Sequence, residues 1–223
     1  ADIELIKKFN KKKIVKGFTT NPSLMRKAGA KNYKSYSKKI LKFCKKPISF
    51  EVFGDDYNSM KKQALIINSW GKNVYVKIPV LNSKGIFMGK VIKELNKNKI
   101  KLNITAIYSS KQVKKVLDNL KTNTKLIVSI FVGRLADSGR DPINMIKETV
   151  KLTKKYKNIE VLWASTREPY NFIQAKKLGC EIITVPPSII EKIINFSKIS
   201  DKNLSIATVK GFLKDSKLSK FSF

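Results

Sequence analysis

Short apolar runs alternate along the chain with longer stretches in which apolar residues recur every three or four positions. The short runs predict buried strands, and the periodic stretches predict amphipathic helices. The opening segment 2–12 shows the helical pattern, because Ile3, Ile6 and Phe9 would share one face. Seven strands are predicted, at 14–19, 48–53, 73–79, 101–108, 125–131, 159–165 and 181–186.

Helical segments separate these strands, which predicts repeated βαβ units and a parallel sheet. The chain opens inside a helix, whereas a closed (β/α)8 TIM barrel has eight strands. We therefore predict an α/β barrel, formed as one domain over 1–223, whose first strand is missing from this chain. The remaining helices are predicted at 23–28, 33–45, 55–71, 84–98, 110–120, 142–157, 168–178, 187–196 and 203–214, with a loop at 133–142.

Polar residues interrupt the predicted strands near their carboxyl ends. Buried parallel strands are usually continuous apolar runs, so these interruptions stand out. Alternate residues of a barrel strand face inward, and the active site of a barrel lies at the carboxyl ends of its strands. One face is apolar and should pack on the helices. The opposite face should point into the barrel mouth, and it carries Glu51, Lys77, Asn103, Thr105, Ser129 and Ser165.

Lys77 is the most informative of these residues, because a lysine is rarely buried without a partner. One reading is an ion pair with Glu51 on the neighbouring strand. The other is chemical: apolar surroundings disfavour the charged amine, which becomes nucleophilic and forms a Schiff base with a ketone. Glu51 would then act as general acid and base through a water.

Composition narrows the chemistry. The chain has no histidine, which excludes a Ser-His-Asp or Cys-His nucleophile and disfavours a catalytic zinc of the usual histidine-rich kind. Cys44 and Cys180 lie outside any CxxC pair and are expected to be free thiols in a reducing cytoplasm. No apolar run is long enough to cross a membrane, and no signal peptide is expected.

The net charge of +31 raises the alternative of a non-catalytic, polyanion-binding barrel protein. Base reading and bidentate phosphate contacts prefer arginine, however, and nearly all the basic residues are lysines. A lysine excess spread over solvent-facing positions favours a solvated surface over a nucleic-acid site. The arginines are Arg26, Arg134, Arg140 and Arg167.

Two of these arginines follow late strands, where barrels tend to bind phosphate. Arg134 and Arg167, with Ser165 nearby, are therefore predicted to clamp a phosphate. Arg140 is interpreted as structural, and Arg26 receives no role.

Several sequence blocks together resemble the transaldolase family, in family order and over nearly the whole chain. They are GFTTNPSL (17–24), YVKIPV (75–80), LNITAIYS (102–109), SIFVGR (129–134) with its ADSGRDP tail, and WASTRE (163–168). The length resembles the small transaldolase and fructose-6-phosphate aldolase subgroup. The resemblance implies cofactor-free transfer of a dihydroxyacetone unit between sugar phosphates in the pentose phosphate pathway.

The resemblance also implies roles for single residues. Lys77 matches the Schiff-base lysine, and Glu51 with Thr105 matches the positions that hold a catalytic water. Glutamate at 51 and phenylalanine at 131 favour transfer over simple aldol cleavage. The matched substrate and phosphate residues are Thr20, Asn21, Asn103, Ser129, Phe131, Arg134, Ser165 and Arg167.

One departure concerns an acid/base aspartate that the family carries at the end of its first strand. This chain begins at Ala1, just after the matching position, and Asp2 matches a later helical residue. Small relatives form rings through their last helix, so we expect a homo-oligomer. The alternatives left open are fructose-6-phosphate aldolase-like cleavage, a related sugar-pathway enzyme with another substrate, and the polyanion-binding protein.

Overall fold

A computed structural model describes residues 1–195 and 200–219 of the chain. Seven parallel strands form one curled sheet, and each strand pairs with the next in chain order. The strands are β1 (Phe18–Thr19), β2 (Ile48–Glu51), β3 (Val74–Pro79), β4 (Leu102–Ile107), β5 (Leu126–Ile130), β6 (Ile159–Trp163) and β7 (Ile182–Ile183). This arrangement, with seven strands in the described residues, confirms the predicted α/β barrel architecture.

Helices connect the strands, as βαβ units require. They are α1 (Ile3–Asn10), α2 (Pro22–Lys27), α3 (Tyr33–Phe43), α4 (Tyr57–Asn68), α5 (Gly89–Lys97), α6 (Ser110–Asp118), α7 (Val132–Asp137), α8 (Ile143–Thr153), α9 (Tyr170–Lys177), α10 (Pro187–Ile194) and α11 (Asp201–Ser219). Side-chain N-caps determine where several of these helices begin. Asp2, for example, accepts a hydrogen bond from the Leu5 amide at 2.8 Å, in keeping with its predicted helical position.

Several predicted boundaries were wrong. The strands expected at 14–19 and 181–186 cover only Phe18–Thr19 and Ile182–Ile183. Segment 133–142 was expected to be a loop, but its first part forms α7. The helix expected from residue 84 begins at Gly89, because Leu81 and Phe87 form an antiparallel bridge and the chain turns back between them. The terminal helix is longer than 203–214 and has no buried residue. Residue 196, the last position predicted for the helix 187–196, and residues 220–223 of the 1–223 domain assignment lie outside the described residues.

Alternation along the strands separates two apolar clusters. The larger cluster lies between sheet and helices and includes Val76, Ile104 and Val128. The smaller one faces the barrel interior and contains Tyr75, Ile127, Leu162 and Ala164. The predicted alternation of inward-facing and outward-facing side chains therefore holds in β3 to β5, where the outward face packs against the helices.

In β6 the predicted inward and outward faces were wrong. Strict alternation back from Ser165 would place Val161 and Trp163 on the inward face, but both belong to the outer cluster. Leu162 faces inward and pairs in register with Ser129. Ser165 lies after the end of the strand with a φ of 64°, so the chain changes direction there and simple alternation does not apply.

The sheet edges meet without strand pairing in the described part of the chain. The Thr19 and Thr184 hydroxyls, near the ends of β1 and β7, are hydrogen-bonded at 2.7 Å. On the outside, Lys8 of α1 and Glu191 of α10 form an ion pair at 2.8 Å. Side chains thus connect β1 with β7 and α1 with α10.

Candidate active site

A lysine–glutamate pair lies at the centre of the barrel mouth. Residues Glu51 of β2 and Lys77 of β3 are opposite each other in the strand register. The Lys77 ammonium nitrogen lies 3.0 Å from Glu51 Oε2 and donates to the Thr20 carbonyl oxygen at 3.3 Å. Lys77 is 7% exposed, so the amine is held in a largely water-free position. The predicted ion pair is confirmed, and nucleophilic chemistry stays a prediction.

A hydrogen-bonded polar row adjoins this pair. Asn103 of β4 is opposite Lys77 in the register and is fully buried. Its amide nitrogen donates to Ser49 Oγ at 3.0 Å, and its amide oxygen accepts from Ser129 Oγ at 2.6 Å. These two hydrogen bonds orient Asn103. Ser49 was not included in the site predicted from the sequence, although it lies two residues before Glu51 and therefore on the same face of β2.

Thr105 lies further along β4, opposite Pro79 of β3. Its side-chain hydroxyl is buried and has no hydrogen-bond partner among the described residues. The next residue, Ala106, has a φ of 57°, and the pairing with β5 is irregular between Ile104 and Ile107. Left-handed backbone at a non-glycine residue is costly and concentrates at functional sites. The strand end therefore presents an unpaired hydroxyl on an irregular piece of backbone.

Residues between β1 and α2 complete this side of the mouth. Thr20 is buried, and its hydroxyl donates to the Ser49 carbonyl at 2.8 Å. Asn21 caps α2, because its amide oxygen accepts from the Leu24 amide at 2.7 Å. Its amide nitrogen is then the side-chain atom able to donate to a ligand. The predicted substrate residues Thr20 and Asn21 thus lie next to the carbonyl that contacts Lys77.

The arginine rim, defined as Arg134, Ser165 and Arg167, lies on the other side of the mouth. Arg134 is exposed on α7 and lies over the Phe131 ring, 5.5 Å from its centroid. Phe131 in turn packs edge-on against Tyr108 at 5.7 Å. Phe131 also touches the inner apolar cluster, so this aromatic ring connects rim and interior.

A close backbone contact at Gly133 holds the start of α7, which carries Arg134, against the segment that carries Ser165 and Arg167. A Cβ placed on Gly133 would lie 1.7 Å from the Ser165 carbonyl oxygen and 3.2 Å from Arg167 Cγ. Only glycine fits this contact. Gly133 therefore brings the start of α7 against the segment that carries Ser165 and Arg167.

Asp137, at the end of α7, forms an ion pair with the guanidinium of Arg167. Arg167 Nε donates to the two carboxylate oxygens at 3.1 and 3.0 Å. This hydrogen bonding to Arg167 lowers the pKa of Asp137 below its ordinary value, and the charges of Arg167 and Arg134 add to the effect. The rim is thus partly neutralised, and its arginines are exposed, in contrast to Lys77.

Besides Ser49, sequence reasoning missed three residues that shape the site. Tyr33, on α3, contacts the Glu51 backbone through its hydroxyl. Tyr108 and Asp137 contact the rim arginines. Asp137 belongs to the quoted ADSGRDP block, but the expected loop gave no periodicity from which its direction could be inferred. Tyr33 lies on a helix, and the alternation of side chains along strands does not predict which way a helical side chain points.

A barrel whose strand ends hold a nearly buried lysine beside a glutamate is the arrangement expected of an aldolase-type barrel protein. The profile of the family described as "Transaldolase/Fructose-6-phosphate aldolase" matches residues 1–221. The chain therefore belongs to the transaldolase/fructose-6-phosphate aldolase family.

Similar curated proteins carry the name "Probable transaldolase". The one from Nitrosopumilus maritimus is 35% identical over 217 residues, covering 96% of this chain and 91% of the relative. The one from Caldicellulosiruptor saccharolyticus is 36% identical and covers 96% of this chain and 93% of the relative. The one from Methanococcus vannielii is 36% identical with 88% coverage of each. The similarity thus spans nearly the full length of these proteins.

Solved structures with a similar fold are more distant. The flavin-binding domain of baker's yeast flavocytochrome b2 superposes with a TM-score of 0.52 at 17% identity, covering 75% of this chain and 47% of that chain. Inosine 5′-monophosphate dehydrogenase from Legionella pneumophila gives 0.52 at 12% identity, covering 77% and 57%. The chain matches about half the length of these proteins, and the likeness shows the fold alone. Within residues 1–195 and 200–219, no helix is long and apolar enough to cross a membrane.

Proposed function

We propose that this chain is a transaldolase that transfers a dihydroxyacetone unit between sugar phosphates through a Schiff base on Lys77. The observation that carries the proposal is the nearly buried Lys77 amine, which lies 3.0 Å from the Glu51 carboxylate at the barrel mouth. A lysine kept out of water beside one carboxylate has both the nucleophile and the proton carrier that imine formation needs.

The chemistry is a condensation of the amine with a ketone. The Lys77 ammonium first gives one proton to the Glu51 carboxylate, and the neutral nitrogen then attacks C2 of the ketose phosphate while Glu51 protonates the carbonyl oxygen. Glu51 next takes a second proton from the nitrogen and returns it to the C2 hydroxyl, which departs as water and leaves a protonated imine. Thr105, with its unpaired buried hydroxyl, joins Glu51 in holding the water through which the proton passes. The reverse sequence hydrolyses the imine.

The surrounding residues take the remaining parts of the substrate. Asn103 and Ser129 form one polar wall for sugar hydroxyls, and Asn21 and Thr20 form the other. Phe131 packs against the carbon chain near the rim. Arg134, Ser165 and Arg167 bind the phosphate, and the ligand displaces part of the Asp137 contact to Arg167. Charge-assisted, bidentate contacts of arginine suit this anion.

Borohydride trapping tests the proposal. We expect protein incubated with fructose 6-phosphate and then reduced to carry a sugar adduct on Lys77, located by peptide mass spectrometry. Lys77→Ala should carry none. Lys101→Ala is the matched control, because burial lowers the pKa of this second lysine, which precedes β4 at the opposite end of the barrel. An adduct that persists in Lys77→Ala, or is lost in Lys101→Ala, would contradict the assignment.

Acceptor dependence distinguishes transfer from cleavage. A transaldolase releases an aldose phosphate in a sustained way only when an acceptor aldose phosphate is supplied. Release of free dihydroxyacetone without acceptor would instead support fructose-6-phosphate aldolase-like activity. Nucleic-acid binding that persists at physiological salt, without a Lys77 adduct, would support the polyanion-binding alternative that the net charge of +31 raised.

We place this activity in the pentose phosphate pathway of the cytoplasm, acting without metal or cofactor in a homo-oligomer. The support is the family membership, the free state of Cys44 and Cys180, and the exposed apolar residues of α11. A helix of this length without buried residues is typical of a segment that packs on a neighbouring subunit. Sedimentation of the full chain measures the oligomeric state.

A further inference from the structure

Tyr33 makes an unusual contact with the backbone of Glu51. The tyrosine opens α3, and its hydroxyl donates to the Glu51 carbonyl at 3.0 Å and accepts from the Glu51 amide at 2.9 Å. Its ring is fixed by edge contacts with Phe53 at 4.7 Å and with Phe50 at 6.3 Å. A single side chain therefore satisfies both main-chain groups of the residue that pairs with Lys77.

The reason lies in the short first strand. The pairing of β1 with β2 ends at Thr19 and Ser49, followed by one hydrogen bond from the Thr20 amide to the Ser49 carbonyl. In a parallel ladder the N–H and C=O of one residue point to the same neighbouring strand. Those of Glu51 therefore face the side where β1 has already ended. The Tyr33 hydroxyl replaces the missing strand at this one position.

This replacement leaves the Thr20 carbonyl available to Lys77, whose amine donates to it at 3.3 Å. Tyr33 therefore contributes to both members of the pair. Burial raises the pKa of the Tyr33 phenol, so the hydroxyl keeps its proton and remains a donor to Glu51. An unpaired polar main-chain group in such a place would be costly, so the strand end would shift if the hydroxyl were removed.

We infer that Tyr33 is a positioning residue, which holds the end of β2 so that the Glu51 carboxylate faces Lys77. This inference rests on the proposed function for its catalytic consequence. Its structural part, the fixed strand end, is independent of any reaction.

Tyr33→Phe removes the hydroxyl and keeps the ring. Tyr36→Phe is a matched control on the same helix, because the Tyr36 hydroxyl also contacts main-chain carbonyls, including that of Ala28 at 3.2 Å, but lies away from Glu51. We expect Tyr33→Phe to slow Lys77 adduct formation at saturating fructose 6-phosphate about tenfold, since small displacements of a catalytic group have large effects. Tyr36→Phe should form the adduct at the wild-type rate.

The Glu51→Gln background separates positioning from general loss of structure. Without the carboxylate there is no proton carrier to position, so adding Tyr33→Phe should change the remaining rate less than about twofold. An equal loss in both backgrounds would overturn the inference, as would a Tyr33→Phe rate equal to that of Tyr36→Phe.

Amide hydrogen exchange tests the structural part directly. We expect faster exchange at the Glu51 amide in Tyr33→Phe and unchanged exchange there in Tyr36→Phe. Unchanged exchange in Tyr33→Phe would overturn the inference whatever the kinetics. If wild-type protein forms no Lys77 adduct, the proposed function fails, and the exchange result alone decides whether Tyr33 holds Glu51.

Discussion

The lysine–glutamate pair and the arginine rim are held in different ways. The pair is fixed by strand register and burial, and Lys77 is 7% exposed. The rim is fixed by a glycine contact and by the exposed Arg167–Asp137 ion pair. Electrostatic contacts weaken as water gains access. Substitutions in the pair should therefore affect both chemistry and stability, whereas rim substitutions should mainly affect substrate binding.

Replacement of Lys77 by Met should have the largest effect. It removes the nucleophile and leaves the Glu51 carboxylate unpaired in a largely buried place. We expect activity to fall on the order of 10⁴-fold or more and the free energy of unfolding to fall by about 2–3 kcal/mol. Turnover and urea denaturation measure the two losses. Lys101→Met is the control, and equal losses there would contradict a special role for Lys77.

Gly133→Ala should break the rim while sparing the pair. The added methyl group would meet the Ser165 carbonyl oxygen at 1.7 Å, so the segment carrying Ser165 and Arg167 must move. We expect a loss of about 1–3 kcal/mol in unfolding free energy from overpacking and a raised KM for fructose 6-phosphate. Gly71→Ala is the control, because it precedes β3 at the opposite end of the barrel and the atom nearest to an added Cβ there is the Asn73 side-chain oxygen at 3.1 Å. An unchanged KM in Gly133→Ala would show that the rim does not bind substrate.

Arg167→Lys tests the binding role of the rim separately from stability, because lysine keeps the positive charge and lacks the bidentate geometry of arginine. We expect KM for fructose 6-phosphate to rise about tenfold with little change in kcat, and unfolding free energy to change by less than about 1 kcal/mol. Steady-state kinetics with unphosphorylated fructose provides the comparison. An equal rise in KM for both sugars would contradict a phosphate role. Arg26→Lys is the matched control.

The smallest expected effect is the pH dependence of the Asp137 contact. Hydrogen bonding to Arg167 lowers the pKa of Asp137, so its stabilising contribution is fully present above the ordinary value of 3.8 and is lost as pH falls through the lower folded value. The Tm difference between wild type and Asp137→Asn should therefore be largest near neutral pH and vanish in strong acid. A difference that grows with acid would reverse this sign and exclude the proposed linkage.

The sequence made the pair predictable and the rim only partly so. Lys77 and Glu51 could be placed on one face because side chains alternate with a period of two along regular strands. The same reasoning was wrong at β6, since Ser165 itself has a left-handed backbone conformation that no strand pattern encodes. Residues supplied by helices, such as Tyr33 and Asp137, depend on how a helix packs against the sheet, which strand parity does not describe.

The hydrogen bond between Thr19 and Thr184 has a consequence for how the molecule folds. Every strand pairs with its sequence neighbour, so most of the sheet can form from contacts that are local in the chain. The two threonines are 165 residues apart, so joining them requires closure of a very long loop. Such closure carries a large entropic cost and is repaid only after the intervening units exist. We therefore expect the seam between β1 and β7 to be the last part of the barrel to form during folding.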